Sequence, residues 1–228
     1  MKTRTKALLL VMSALLLVVS TVFATMAFLV DKTETVKNTF TVGKVAIALD
    51  ETDVDIYGVK ESDTRVKAND YKLIPGHEYI KDPTVHVKSD SEECYVRMIV
   101  TVTVPATASS WIGTGIDEII KGYDASVWNR VNYNVTTDDN GVSTIVYEYR
   151  YTEEVVASEI TTVVTINGET YGSLEPLFTG IVVPESYDNE EIIALNSLNI
   201  DIVAHAIQAD GFEGSADAAW AAFDAQVD

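Results

Sequence analysis

The sequence predicts an all-β fold, and three observations support that prediction. Apolar residues alternate along the segment 94–104, with six of them on one face: Cys94, Val96, Met98, Val100, Val102 and Val104. A period of two over such a length is typical of a half-buried strand. Two Asn-Gly pairs, at Asn140-Gly141 and Asn167-Gly168, stand where β-hairpin turns belong. The chain has 228 residues, 47% of them hydrophobic, which is enough for one domain with a proper core.

The first 27 residues have the pattern of a Sec-type export signal. Lys2, Arg4 and Lys6 form a basic start, and a long apolar run follows from Ala7. The rival interpretation is an uncleaved membrane anchor, because a run of ~20 apolar residues is long enough to span a bilayer.

Two cleavage sites satisfy the rule of small residues at positions −3 and −1. One pairs Val22 with Ala24 and the other pairs Thr25 with Ala27. We favour cleavage between Ala27 and Phe28. The predicted organisation is therefore a signal peptide over residues 1–27, an N-terminal segment over 28–37 and one domain over 38–228.

The mature protein is strongly acidic. The net charge is −19, and loss of the three positive charges of the signal takes it to −22. Nucleic acids and anionic lipids would repel such a surface, so neither is predicted as a partner. The acidity suits solubility outside the cell, with binding of divalent cations as the alternative. Cys94 is the one cysteine, so no intrachain disulfide forms.

The stretch from Phe28 to Leu49 divides into two parts. Residues 28–37 alternate but are weakly apolar, and Thr39–Leu49 is richer in core residues. The phase of alternation changes at Gly43, which is what a β-bulge would leave in the sequence. We interpret the first part as a strand to be donated and the second as a resident strand, with Asn38 near the hinge between them.

The next stretch, DETDVDIYGVKESDTRVKAND, is polar, and we expect a solvated loop there. It resembles a calcium-binding EF-hand loop only superficially, because the glycine at loop position 6 and the glutamate at position 12 are missing. Calcium binding by Asp50–Asp55 stays open.

The remaining elements follow from periodicity. We expect a helical turn or short helix around Ile116–Ile120, and a hairpin from Val127 to Tyr151 about the first Asn-Gly pair. A C-terminal helix should begin after Ser215, its N-cap, and pack its Trp220 face on the sheets.

Candidate catalytic groups are sparse. His77 and Glu78 begin the sequence HEYIK, but Lys81 stands where a zinc-binding HExxH motif needs its second histidine. There is no GxSxG motif and no phosphate-binding glycine loop. The sequence therefore predicts no enzyme and no cofactor, with calcium or zinc as open alternatives.

Taken together, three stretches resemble the TasA/camelysin family of bacterial exported proteins. They are ATMAFLVDKTETVKNTFTVGKVAIAL, YKLIPGHEYIKDPTVHVKSDSEECYVRMIV, and PLFTGIVVP with LNIDIVAHAIQADGFEGSADAAWAAF. The strand, the AIQADGF sequence and the tryptophan-containing helix of the last stretch are the most specific. The chain departs from the family pattern at Met26 and Leu29, which leaves the cleavage site open.

The resemblance implies a jelly-roll β-sandwich of two antiparallel sheets with short peripheral helices. It also implies processing by a SipW-type signal peptidase, secretion, and polymerisation into biofilm matrix fibres, with other matrix proteins as further partners. One branch of the family is described as a surface metalloprotease, but no catalytic set of that branch can be placed on residues of this chain.

The function we expect is therefore that of a secreted structural subunit. Its new N-terminal segment, with Phe28, Leu29, Val30, Thr33, Thr35 and Val36, would complete the sheet of a neighbouring copy. Ten extended residues reach about 33 Å, enough to cross the edge of a domain. The rivals are a camelysin-like metalloprotease that uses His77 or Glu78, and a membrane-anchored adhesin that keeps its N-terminal run.

Overall fold

The computed structural model describes residues 30–32, 45–108, 116–212 and 214–227, with only the backbone for residues 30–32 and 227. Within these ranges the chain is mostly antiparallel β-structure, and the sheets curl into a half-barrel. The predicted all-β class is confirmed at this level.

The first sheet has five antiparallel strands in the order β1-β13-β6-β9-β8. Their bounds are β1 Val30–Lys32, β6 Cys94–Val104, β8 Trp128–Thr137, β9 Ser143–Tyr151 and β13 Asn199–Gln208. The predicted strand over 94–104 and the hairpin about Asn140-Gly141 are both confirmed. The hairpin closes through hydrogen bonds between Asp138 and the backbone of Gly141 and Val142.

The second sheet also has five strands, in the order β10-β11-β5-β2-β3. They are β2 Ile47–Val54, β3 Lys60–Val66, β5 Thr84–Lys88, β10 Val163–Ile166 and β11 Glu169–Ser173. The predicted second hairpin is confirmed, since Asn167 and Gly168 form its two-residue turn with φ angles of 52° and 83°. Positive φ at both positions is the requirement that favours Asn-Gly there.

Three short strands, two α-helices and a 3-10 helix over Ala157–Glu159 complete the elements of the described residues. The order β4-β12-β7 joins Glu78–Ile80, Gly180–Val182 and Ile120–Lys121. Helix α1 covers Asn189–Asn196 and α2 covers Ala216–Val227. Side chains from both large sheets meet in one core, as β6 supplies Val96, Met98 and Val100 while β5 supplies Val85 and Val87.

The prediction of a solvated loop after Leu49 is wrong, because β2 and β3 form an antiparallel hairpin there. The polar side chains have partners that a one-dimensional pattern does not show. Arg65 forms ion pairs with Asp50 and Asp82, and the Asn69 side chain bonds the backbone of Val54 and Thr52. Because side chains of neighbouring strands pair with its carboxylates, a stretch rich in aspartate can form a strand.

Other boundaries differ less from expectation. The turn at Ile116–Ile119 is helical, since the amides of Ile119 and Ile120 both donate to the Ile116 carbonyl, and β7 follows directly. Helix α2 is confirmed, with the Ser215 hydroxyl accepting from the amide of Ala218. Helix α1 was not predicted, although Asp188 and Glu191 form the reciprocal capping box that begins it.

Cys94 lies at the start of β6 and is fully buried. Burial, together with the charge of Glu154, raises the pKa of its thiol to about 12. The thiolate is the reactive form, and at pH 8 almost none of it is present in the folded protein. We expect the native protein to resist labelling by a thiol-specific reagent at pH 8, with labelling at the normal rate in denaturant. Rapid labelling of the native protein would contradict this burial.

Candidate functional site

The candidate site is the outer edge of β13 in the first sheet. On its inner side β13 pairs with β6 along its whole length, from Asn199 opposite Thr103 to Gln208 opposite Cys94. On its outer side, within the described ranges, β1 pairs with residues 205–207. Among the described residues, no strand is paired with 199–203 on that outer side. Where a strand edge has no neighbour, its backbone N–H and C=O groups can pair with another strand.

The two faces of β13 contact different neighbours. Ile200, Ile202 and Ala204 pack into the core shared by the large sheets. On the opposite face, Ile207 packs into a second cluster with Tyr95 of β6 and with three residues of helix α2: Ala219, Trp220 and Phe223. The C-terminal half of β13 is therefore held from both sides, and the position of the edge is fixed by packing.

Arg97 of β6 contacts side chains of α2 and so links this helix to the first sheet. Its guanidinium lies 4.5 Å from the Trp220 ring centroid and 4.8 Å from that of Phe223, and only 5% of the residue is exposed. It donates hydrogen bonds to Nδ1 of His205 at 3.2 Å and to the carboxylate of Asp224. A cation buried this deeply is costly unless it is paired, and here two aromatic faces and the carboxylates of Asp224 and Glu148 surround it.

The predicted donor segment enters the described structure only at β1. Val30 lies opposite Ile207, Asp31 opposite Ala206 and Lys32 opposite His205. The other predicted residues of the N-terminal region lie outside the described ranges: Ala27, Phe28, Leu29, Thr33, Thr35, Val36, Asn38 and Gly43. The proposed cleavage site and the proposed bulge are therefore among the residues that the structure does not describe.

The histidine and glutamate of HEYIK have other partners. His77 Nε2 lies 2.8 Å from the carbonyl oxygen of Tyr57, and Glu78 forms an ion pair with Lys121. The described residues contain no group of three His, Cys, Asp or Glu side chains close enough together to hold a metal ion.

A polar chain crosses the second sheet, and sequence reasoning missed it. His86 is 1% exposed, and its Nδ1 lies 2.8 Å from the Ser173 hydroxyl while its Nε2 lies 2.7 Å from a carboxylate oxygen of Asp50. Asp50 also pairs with Arg65, so the chain links β11, β5, β2 and β3. Periodicity alone cannot show it, because strand partners are not readable from one sequence.

Serine, histidine and aspartate in this order resemble a nucleophilic triad, which also needs donors for an oxyanion. The amides of Ser173 and Leu174 already donate to the carbonyls of Thr162 and Val85. Neither amide is available to a reacting group. The arrangement satisfies buried polar groups and links four strands.

A cavity of about 340 Å3 adjoins the N-terminal end of β13. Its apolar lining includes Ile119, Phe178, Leu195, Leu198 and Ile200. Strand addition uses a sheet edge together with an apolar recess beside it, and the outer edge of β13 and this cavity lie next to each other.

Two further findings concern the chain as a whole. No helix in the described ranges combines the length and apolar character needed to cross a membrane. Comparisons with protein families, with curated proteins and with solved structures found no match.

The packing of α2 on β13 gives a first test of the site. Trp220→Ala removes a fully buried side chain, so we expect the free energy of unfolding to fall by about 3 kcal/mol or more in urea titration. The exposed Ala225→Ser on the same helix should change it by less than about 0.5 kcal/mol. Equal values for the two variants would show that α2 does not stabilise the sheet.

The polar chain gives a second test. Ser173→Ala leaves Nδ1 of the buried His86 without this partner, and we expect a loss of about 1–3 kcal/mol in unfolding free energy. The exposed Ser186→Ala serves as the matched control. A stability equal to that of the parent protein would mean that water or another group replaces the serine.

Proposed function

We propose that the chain is a secreted structural subunit that polymerises head to tail into extracellular matrix fibres. Each copy would donate its N-terminal segment to the β13 edge of the next copy, and the subunit would be a jelly-roll sandwich. The observation that carries the proposal is that β1, part of the predicted donor segment, already lies on that edge. The same pairing made between two copies would be a strand exchange, which costs little in new contacts.

The length of β13 is consistent with a donated strand that is longer than β1. The donor segment over 28–37 has ten residues, and β13 has ten residues as well. Continued in the register of β1, a donated strand would run from Leu29 opposite Gln208 to Asn38 opposite Asn199. Its end would then coincide with the predicted hinge at Asn38.

The apolar cavity beside residues 195–200 also supports the β13 edge as the place that receives the donated segment. An extended segment from a neighbour would pair with the outer edge of β13 and cover this recess. Strand pairing acts at contact distance, so it can join two copies although both carry a large negative charge.

Assembly would depend on cleavage of the signal peptide. A SipW-type signal peptidase would cut between Ala27 and Phe28, and until then the donor segment would be held at the membrane. Cleavage would release the segment and so begin assembly. The partners are therefore other copies of the chain, the peptidase, and other proteins of the matrix.

Electron microscopy of two purified forms tests the proposal. Protein that begins at Phe28 should form fibres, and protein that begins at Asn38 should not, because it lacks the segment to be donated. Fibres from both forms, or from neither in any buffer, would contradict donor-strand assembly.

A peptide of residues 28–37 provides the matched control in trans. We expect it to raise the Tm of the form that begins at Asn38 and to stop growth of fibres by the longer form. The same peptide with Val30→Pro and Val36→Pro lacks two backbone donors and should do neither.

A further inference from the structure

A lysine, a glutamate and an asparagine meet beside the second sheet. The carboxylate of Glu51 accepts a hydrogen bond from Lys81 Nζ on one oxygen, at 2.7 Å, and from Asn69 Nδ2 on the other, at 2.8 Å. Both nitrogen atoms are therefore held within one hydrogen-bond length of the same carboxylate. We call Glu51, Asn69 and Lys81 the Lys-Glu-Asn triad.

The three residues of the triad come from separate parts of the chain. Glu51 belongs to β2, Asn69 lies in the segment after β3, and Lys81 directly follows β4. Tyr79 holds the segment between them, because it is fully buried and its hydroxyl bonds two backbone groups of residues 72–74. The fold, and not the local sequence, brings the triad together.

The ion pair of the triad is more deeply buried than the other lysine ion pairs of the described residues. The side chains of Lys81 and Glu51 are 16% and 6% exposed, whereas each of the others has at least one partner that is more than half exposed. Buried charges are costly even when they are paired. A proton passed from Nζ to the carboxylate replaces the two charges by two neutral groups, and a neutral amine is a nucleophile.

The side-chain amide of Asn69 is held at both ends. Its Oδ1 accepts a hydrogen bond from the amide of Val54 at 3.0 Å, and its Nδ2 donates to the carbonyl of Thr52 at 2.9 Å as well as to Glu51. These partners decide which end of the side-chain amide is the oxygen. A backbone N–H on the carbonyl oxygen stabilises the negative charge that this oxygen gains when a nucleophile adds to Cγ.

Two aromatic rings flank the triad. Lys81 Nζ lies 5.6 Å from the centroid of the Tyr71 ring, and this ring packs edge-on against Tyr79 with the centroids 5.6 Å apart. Burial, and then the charge of Glu51, raises the pKa of the Tyr71 hydroxyl. Electrostatic effects are stronger in such a partly enclosed place than in open water, so a donor on a developing charge contributes more there.

The triad also reaches the cavity at the N-terminal end of β13. Asn69, Tyr71 and Lys81 line this cavity together with the apolar side chains named above. A small molecule released at Asn69 therefore has space into which it can leave.

We propose that Lys81 and Asn69 become joined by an isopeptide bond, with Glu51 as the group that moves the protons. Glu51 takes a proton from Lys81 Nζ, and the neutral amine adds to Cγ of Asn69. The amide of Val54 donates a hydrogen bond to the resulting oxyanion. Because all the reacting groups are held in contact by the fold, the step is intramolecular.

The intermediate then releases ammonia. Glu51 passes its proton to Nδ2 of Asn69 and accepts a second proton from Nζ, and the Cγ–Nδ2 bond breaks as the carbonyl forms again. The second proton goes to the departing ammonia. One ammonium side chain and one side-chain amide thus become one secondary amide and one ammonium ion, so neither an oxidant nor a further reactant is needed.

The bond closes a loop of the chain from residue 69 to residue 81 within one copy, so it does not depend on the proposed self-assembly. Cys94 is the one cysteine of the sequence, so a disulfide cannot provide a link within the chain. A covalent link between separated residues stabilises a fold mainly by restricting the unfolded chain. The isopeptide bond gives this chain such a link without cysteine.

Mass spectrometry of the purified full chain tests the bond. The mass should be lower than that of the sequence by one ammonia. After digestion with trypsin, residues 68–72 should appear joined to residues 73–88, because a modified Lys81 is not a cleavage site. Separate peptides of residues 68–72 and 73–81, without the joined species, would overturn the inference.

Variants of the triad test the role of each group. Glu51→Gln cannot take up the proton, and Lys81→Arg keeps the positive charge but has no amine that can attack, so both should keep the full mass. Lys67→Arg is the matched control, since it changes an exposed lysine near Asn69 and keeps the trypsin site. It should lose one ammonia as the parent does. Joined peptides from Glu51→Gln at the parent's rate would show that Glu51 does not move the protons.

Asn69→Ala separates this bond from another source of ammonia. An Asn-Gly pair can lose ammonia by closing into a ring, and the chain has such pairs at Asn140 and Asn167. Asn69→Ala lacks the carbon that is attacked, so it should keep the full mass. Loss of ammonia by this variant to the same extent as the parent would place the reaction elsewhere and contradict the inference.

Discussion

The structure depends most on the antiparallel pairing of β6 with β13. Ten residue pairs join the two strands, and β6 continues the first sheet by pairing with β9 on its other side. Side chains of β6 point alternately to the two faces of the sheet, so Val96, Met98 and Val100 lie in the core that the second sheet also lines. The same ladder sets the position of β13, and with it the position of the edge where β1 lies.

Arg97 shows how the two faces of this ladder are coupled. The residue belongs to β6, yet it contacts His205 of β13 and the aromatic side chains of α2. A strand at the edge of a sheet is usually its most mobile part. Here the helix, the buried cation and the core hold β13 in place, so the geometry of its outer edge is defined. A defined edge is what a donated strand needs if its register is to be unique.

The sequence predicts well what depends on local pattern. The strand at 94–104, both Asn-Gly hairpins and the C-terminal helix follow from periodicity and turn chemistry. It fails where partners distant in the chain decide the outcome. The aspartates of β2 are compatible with a strand because Arg65 is brought beside Asp50, and the chain from Ser173 through His86 exists only because β11, β5 and β2 are neighbours.

The large negative charge and the exposed apolar side chains of this molecule have opposite effects on association. Exposed apolar surfaces and strand edges that are not covered are templates on which other chains associate. A charge of −19 opposes this over distances of about 10 Å at 0.1 M salt, which is the range over which ions screen it. Strand pairing and apolar contact act only at closer range. Association is thus slowed by a long-range repulsion and stabilised by short-range contacts, so it should be selective for surfaces that fit closely.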